Sequence, residues 1–502
     1  MTDFLLSLTP IVILLVCLLV IKLSAKLSGL ITFLIASAEF IFWIRPGCFG
    51  TMITIEKGFI MAVFVGLIAF GAMLLYNLVE QSGGFNIINS FLSDLFHDRF
   101  ALFLMISWIF SAFLQGIAGY GLPAVIAATI LMKSGFSPEK AAAASLLGHS
   151  WAISFGSMGS SIFAIDLVTN APLEDILVSM SHYGAVGMLC CGLGVCFIYG
   201  GFRYVIKGLK YVLPVWAAMT AALMAMAKYE MISVIGFVTG IVGVAVMMIV
   251  YRWFDKSLGS PVTAHQKKQL LNSVLPYILI IILSLTFFLM EPNLKIAFSF
   301  PGYETLKGAI VEAKPDYVVF NILKYPFTII LMTTALSIVY YLKIKRLSRE
   351  HIGLIFKNTT KKIIPTEITL LFLLCTASIM MDGGMTTILS KAIVEFTGRG
   401  YSFMASVIGM LGAFITGSNT NSNILFGSLQ ETAAISLGMV PALMCAVQSI
   451  SASVGGAIGP TTTALVAAAA GKSGKEIEIY KYTLLPTVVT AVILGLSNVI
   501  LT

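Results

Sequence analysis

Charge is scarce in this sequence. Only 11% of its 502 residues are Asp, Glu, Lys or Arg, and 58% are apolar, whereas a soluble domain carries roughly 25% charged residues. A large water-soluble domain is therefore excluded. Metal and catalytic chemistry are equally thin. The five histidines are scattered, and the seven cysteines (Cys17, Cys48, Cys190, Cys191, Cys196, Cys375 and Cys445) fall mostly inside apolar runs, without ligand spacing or His/Asp company. They read as packing residues. No nucleophile with a base, no paired acids and no metal cluster is in sight, so the expectation is no enzyme, no catalytic residue, no metal and no cofactor. The start Met1, Thr2, Asp3 lacks the basic region of a cleavable signal, and the apolar run behind it is longer than a signal core, so it reads as a retained helix.

What the chain has instead is long apolar runs. Those from Phe4 to Val20, Gly58 to Tyr76, Val274 to Met290 and Val318 to Leu342 are each at least 17 residues long, enough to cross about 30 Å of hydrocarbon. The formal net charge of +8 would point to nucleic acid only if the basic residues clustered on one polar face. They sit in short loops between spans, the pattern of cytoplasmic loops in a bilayer, and no nucleic-acid partner is expected. The segment Lys343 to Lys362 carries seven basic residues against the single acid Glu350 and is placed in the cytoplasm. Counting spans back puts Arg252 to Lys268 and Arg203 to Lys210 on the same side, with the acidic stretch Asp166 to Asp175 and the segment Glu291 to Asp316 outside. Both termini are then predicted outside. To keep this orientation, residues 101–132 must enter and leave from the cytoplasm, and residues 401–437 from outside. Two oppositely oriented re-entrant hairpins follow.

The halves also resemble each other. SGGFNIINSFLSDLFHDR from Ser82 aligns with DGGMTTILSKAIVEFTGR from Asp382 at an offset of 300 residues, followed in order by AFLQG with AFITG, GFSP with GMVP, and GSMGSS with GAIGPT. With the opposed hairpins, this predicts an all-α polytopic membrane protein of about 12 spans plus the two hairpins, built as an inverted-topology repeat. Such carriers place substrate at the bilayer midplane. The expected division is 1–57 N-terminal helices, 58–210 first repeat (hairpin 101–132, broken helix 141–165), 211–342 connecting helices, 343–365 basic cytoplasmic loop, and 366–502 second repeat (hairpin 401–437, broken helix 439–470).

Each half contains two stretches where a membrane helix should fail: GIAGYGLP from Gly116, SFGSMGSS from Ser154, GSNTNSN from Gly417 and SVGGAIGPTTT from Ser453. Unpaired backbone is tolerated at membrane depth only where it lines a cavity or is buried in protein. An unwound segment offers N–H groups and the positive dipole end of the half-helix that follows, which suits an anion, and carbonyls of the half-helix that ends, which suit a cation. The six polar side chains Ser418, Asn419, Thr420, Asn421, Ser422 and Asn423 are the strongest local signal, because such density is costly in a membrane unless it binds something. The candidate substrate-binding set adds Gln115, Gly116, Gly119, Tyr120, Gly121, Ser154, Gly156, Ser157, Gly456 and Thr461. For Gly455, Gly456 and Ser157 a second reading stays open, in which small residues let helices approach. No Lys or Arg lies in any break, so an anion would be held by dipoles, hydroxyls and amides. His149 is the one titratable side chain expected near the site; it is either a proton carrier or a neutral histidine bonded to a neighbouring carbonyl. Asp382 is a second proton-relay candidate, read more readily as a residue at the end of its span.

QGIAGYGLPAVIAA resembles the lactate permease family's stretch EGAAGFGAPVAIAA, and GAFITGSNTNSNILFGSLQ resembles its TGSDTSSN segment. GKSGKE at Gly471 is similar to that family's short loop before its last helix, and Ser418, Asn419 and Thr420 are similar to the signature of the broader ion transporter superfamily. The resemblance implies ion-coupled symport of small 2-hydroxy monocarboxylates, lactate or glycolate, across the cytoplasmic membrane of a prokaryote, with the bilayer, a small organic anion and a coupling cation as partners. Gln115 stands where the family has glutamate, and His149, Ser150 and Trp151 where it has Asn, Thr and Ala. The coupled proton would then need His149 or the substrate itself, or sodium would replace it. The alternative is the same architecture carrying another organic anion such as a dicarboxylate. The oligomeric state is not read from the sequence.

Overall fold

The computed structural model describes residues 2–117, 119, 121–255, 263–290, 292–308 and 310–502. An N-terminal pair, α1 (Thr2–Val20) and α2 (Ala25–Ile44), precedes α3 (Gly47–Gln81), α4 (Gly84–Leu95), α5 (Arg99–Ile117), α6 (Leu122–Lys133), α7 (Pro138–Ser150), α8 (Ser160–Leu167) and α9 (Leu173–Gly200). Connecting elements follow: α10 (Phe202–Lys228), α11 (Ile235–Asp255), α12 (Ala264–Met290), the strands β1 (Lys295–Phe300), β2 (Tyr303–Glu304), β3 (Ile310–Val311) and β4 (Lys314–Asn321), and α13 (Pro326–Lys343). The second series is α14 (Arg349–Asp382), α15 (Met385–Thr397), α16 (Tyr401–Thr416), α17 (Asn419–Leu437), α18 (Pro441–Gly455), α19 (Pro460–Ala469) and α20 (Glu476–Leu501). Among the described residues 12 helices are long and apolar enough to cross a membrane, α5 included.

Helices α3 to α9 match α14 to α20 one for one. The α3 helix has 35 residues and α14 has 34, and each hands over to its short successor through a left-handed glycine, Gly83 (φ 69°) and Gly384 (φ 69°). Only glycine takes that conformation at no steric cost, which is why the SGG and DGG stretches were the first part of the repeat to be visible. The two long helices pack against each other so closely that a Cβ at Gly58 would lie 2.5 Å from Cys375 Cα.

The molecule has two distinct ends. At one, Arg99 donates to the Gly135 carbonyl (2.9 Å), Lys140 to the Tyr199 carbonyl (2.8 Å) and Arg346 to the Ser82 carbonyl (2.8 Å), and Lys472 pairs with Glu139 and Glu478. At the other, Lys307 pairs with Asp3 (3.2 Å) and Lys314 donates to Asn170 Oδ1 (2.6 Å). Both ends of the α5–α6 hairpin lie at the basic end. The α16–α17 hairpin opens toward the other, where Glu431 accepts from the Asn170 backbone N–H (2.6 Å). Asn498, near the end of α20, donates to the Ser402 carbonyl at that same open end (2.7 Å), so both termini lie opposite the basic end.

Three expectations are corrected. The divisions at 57/58 and 210/211 fall inside the unbroken helices α3 and α10. Lys57 ends the apolar run in sequence, but it is buried and paired with Asp382 (3.0 Å), so the helix continues through it. The basic segment 343–365 is a short turn followed by the first half of α14. Its lysines are spaced so that Lys357, Lys361 and Lys362 all stay exposed on a helix. Finally, the helical architecture carries an external addition of two antiparallel two-stranded sheets, β1 with β4 and β2 with β3. Apolar Ile296, Phe298 and Phe300 alternate with other residues, a period-2 pattern suited to a strand. The run Val318 to Leu342 therefore begins as strand and becomes helix only at Pro326, a residue favoured in a first helical turn.

Candidate functional site

All four predicted breaks are present, and they meet. The chain leaves helical geometry between α5 and α6, between α7 and α8, at Gly417–Ser418 between α16 and α17, and at Gly459 between α18 and α19. Hairpin tips turn through Gly121 (φ 74°) and Gly417 (φ 68°). Each tip also rests on the break of its own repeat: a Cβ at Gly119 would lie 2.2 Å from Ser157 Oγ, and one at Gly417 would lie 2.1 Å from Thr461 Oγ1. In the first break Ser157 (φ 48°) and Met158 (φ 55°) are left-handed without being glycine. Such conformations are uncommon outside glycine and cluster at functional sites.

Hydrogen bonds tie the breaks together across the repeats. The Ser154 N–H donates to Ser453 Oγ (2.9 Å), Ser154 Oγ to the Ser449 carbonyl (2.8 Å), and Ser453 Oγ to the Ser150 carbonyl. Ser161 and Thr420 hydroxyls meet at 2.8 Å. Asn423 Nδ2 donates to the Ser161 carbonyl (3.0 Å) and to Ser449 Oγ (2.9 Å), and the Asn419 amide lies 2.8 Å from the Ser154 hydroxyl. Ser418 caps α17, accepting from the Asn421 N–H at 3.3 Å.

Between the tips lies a cavity of about 480 Å³. Of the predicted residues it brings together Gln115, Gly119, Gly121, His149, Ser157, Ser418, Asn419, Thr420, Asn421, Gly456 and Thr461. Gly116, Ser154, Gly156, Ser422 and Asn423 are not on its wall. Gly116 lets α5 touch the backbone at Gly236–Phe237, Gly156 packs on Gln115, and Ser422 accepts from Gln448 Nε2 at 3.0 Å. Ser154 and Asn423 are used in the ties just described. Tyr120 lies outside the described residues. Asp382 sits in a separate network, where Lys57, Thr54 (2.8 Å) and Tyr303 (3.1 Å) all donate to it. Burial, and then the Asp382 carboxylate, raises the Tyr303 hydroxyl above the usual tyrosine range.

Sequence reasoning missed Ser24, Lys26, Ser160, Ser161, Thr366, Thr369, Thr416 and Thr462 on the cavity wall. Ser160 and Ser161 belong to a recognised break. Lys26 and Thr366 come from α2 and α14, where nothing local marks them.

Helix ends of both signs reach the wall, with the C-terminal ends of α5, α7, α16 and α18 represented by Gln115, His149, Thr416 and Gly456. The first turns of α6, α8, α17 and α19 reach the cavity as well, at Gly121, Ser160, Ser418–Asn419 and Thr461, so that four N-terminal ends face it. Each such end carries about half a positive charge and unpaired N–H donors. No acidic side chain lines the cavity among the described residues. His149 Nδ1 lies 2.7 Å from the Ser145 carbonyl. A carbonyl only accepts, so Nδ1 carries the hydrogen and Nε2 is left to accept a proton.

The sequence profile of the L-lactate permease family matches residues 3–502. The chain belongs to the L-lactate permease family. It is similar to the L-lactate permease of Bacillus subtilis (strain 168), 27% identical with 95% of this chain and 92% of that protein covered. It is 29% identical to the L-lactate permease of Streptococcus iniae, over 89% of this chain and 94% of that one. With the glycolate permease of Escherichia coli (strain K12) the identity is 26%, over 99% and 95%. The crystal structure of the Alcanivorax borkumensis YdaH transporter superposes with a TM-score of 0.44 at 14% identity, across 88% of this chain and 87% of that one. As a member of the L-lactate permease family, the chain is a multi-pass membrane permease and not an enzyme.

Proposed function

We propose that this permease is a secondary active transporter that carries a small 2-hydroxy monocarboxylate of the lactate or glycolate type, together with a coupled cation, across a prokaryotic cytoplasmic membrane. The observation that carries the reading is the convergence of four helix N-termini, two from each repeat, on one cavity that has no acidic side chain among the described residues. That arrangement favours an anion and supplies hydroxyl and amide partners for a neighbouring hydroxyl group. The names of its relatives support the substrate class.

In this reading the α5–α6 and α16–α17 hairpins are re-entrant, entering from opposite sides and stopping at the cavity. The basic end is cytoplasmic, which puts both termini outside. The coupling ion is a proton or sodium. For a proton, His149 is the titratable side chain on the cavity wall, with Nε2 as the acceptor because Nδ1 is bonded to the Ser145 carbonyl. Asp382 is assigned no relay role, because its carboxylate is occupied by three donors away from the cavity.

The test is uptake by purified protein in proteoliposomes, across lactate, glycolate and succinate, with a pH gradient and a sodium gradient imposed separately. Saturable uptake of lactate or glycolate that responds to one gradient is expected. Absence of flux for both acids under either gradient sinks the reading.

A further inference from the structure

The cavity contains one full charge, and it comes from outside both repeats. Lys26, in the first turn of α2, is the single Lys, Arg, Asp or Glu among the described residues of the wall. It is exposed and forms no ion pair among the described residues. Its position along the molecule is fixed by its neighbours. The first turn of α1 carries Asp3, which Lys307 holds at the strand-bearing end, and α2 returns there, where the Leu306 N–H donates to the Arg45 carbonyl (3.1 Å). The α1–α2 junction therefore lies toward the basic end, and Lys26 stands where the cavity approaches that end.

We infer that Lys26 is the counter-charge for a monocarboxylate at this mouth, and that it makes the site selective for one negative charge over two. This deepens the transport reading above and rests on it. The dipole ends of four helices hold an anion by partial charges, whereas Lys26 offers a whole one on a flexible stem. A first carboxylate is balanced by Lys26. A second finds no further Lys or Arg among the described residues of the wall, and moving an unpaired carboxylate out of water is costly. Among the described residues the pseudo-symmetric half of the cavity has no equivalent lysine, because α1 and α2 precede the repeat, so the effect belongs to the basic side alone. There it acts as a specificity-determining residue that sets affinity and encounter, not the conformational step.

The prediction is tested by substrate exchange in membrane vesicles of both orientations, with K26Q, K26R and the control K22Q, whose side chain is exposed and off the cavity wall. Offered at the basic side, lactate should show a KM about fivefold higher in K26Q, the factor that one charge pair at ~4 Å contributes in water. Vmax should stay within about twofold, and high salt should narrow the gap by screening. K26R should stay close to wild type, K22Q should be unchanged, and KM from the opposite side should not move. An unchanged KM in K26Q, or K26R as impaired as K26Q, overturns the role of the charge. Wild-type protein that prefers succinate to lactate overturns the single-charge selectivity while leaving carboxylate transport standing. Wild-type protein that exchanges no carboxylate overturns both.

Discussion

Asn423 was expected to bind substrate, and the structure gives it a different task that a single substitution can test. Its side-chain amide is fully buried and donates twice, to the Ser161 carbonyl at 3.0 Å and to Ser449 Oγ at 2.9 Å, tying α17 to α8 and α18. N423D keeps the shape and removes both donors. Two lost bonds at about 0.5–1.5 kcal/mol each cost about 1–3 kcal/mol. An ionised carboxylate would also face the Ser161 carbonyl oxygen out of water, which costs several kcal/mol more, so the carboxyl takes up a proton instead. Once protonated it donates one bond, leaving a deficit of about 1 kcal/mol. Its folded-state pKa is thus raised above the unfolded value of about 3.9. The unfolded chain releases that proton first as pH climbs. The deficit of N423D against wild type should therefore be small at acidic pH, grow above about pH 4, and level off once pH exceeds the folded-state pKa. Thermal unfolding of the purified protein, followed by tryptophan fluorescence at matched pH values, measures it. Equal unfolding of N423D and wild type at all pH values, or a deficit that shrinks as pH rises, refutes the assignment of Asn423 to the inter-helix tie.

G417A places a side chain at φ +68° and 2.1 Å from Thr461 Oγ1; transport should fall at least about tenfold with membrane insertion retained, since the left-handed backbone alone costs about 1–2 kcal/mol, and a T461A background should recover part of the loss in the same uptake assay. K57M leaves Asp382 without its cation and should destabilise by about 3–5 kcal/mol, while K57M/D382L should lose less, because an unpaired buried charge costs more than no charge; paired thermal unfolding curves decide it, and a double variant worse than K57M contradicts it. H149Q should flatten the pH dependence of uptake without abolishing exchange at saturating substrate if the ring carries the coupled proton; an unchanged pH profile returns His149 to its bond with Ser145.

The repeat, the breaks and the opposed hairpins were legible because each leaves a local trace. A left-handed glycine shows as SGG or DGG, an unwound membrane segment shows as clustered Gly, Ser and Asn, and orientation shows in basic residues at loop ends. Which members of a polar run face the cavity was not legible. Ser418 to Asn423 form the cap and first turns of α17; Asn419 and Asn423 share a face one turn apart, and the deeper Asn423 meets Ser449 while Ser422 meets Gln448, leaving Asn419, Thr420 and Asn421 on the cavity wall. The Lys57–Asp382 pair joins residues 325 apart in sequence, and no local pattern announces such a partnership. Lys26 carried no signal for the same reason: an exposed lysine in the first turn of a membrane helix is ordinary until the fold sets it beside a cavity.

A site made by two similar halves of opposite direction has no intrinsic preference for either side of the membrane, so directionality must come from parts that are not repeated. Two such parts bracket the cavity. At the basic end, α1 and α2 bring Lys26 to its wall. At the other end, β4 reaches over the first broken helix: Tyr317 donates to the Leu167 carbonyl at the end of α8 (2.8 Å), and Lys314 donates to Asn170, which in turn donates to Glu431 of α17. The strands thus hold α8 and the second hairpin together on the side where the cavity has no lysine. Burial lowers the affinity of Lys314 for its proton, with the Lys57 charge adding to the effect and the carboxylates of Asp382, Glu431 and Glu312 opposing it.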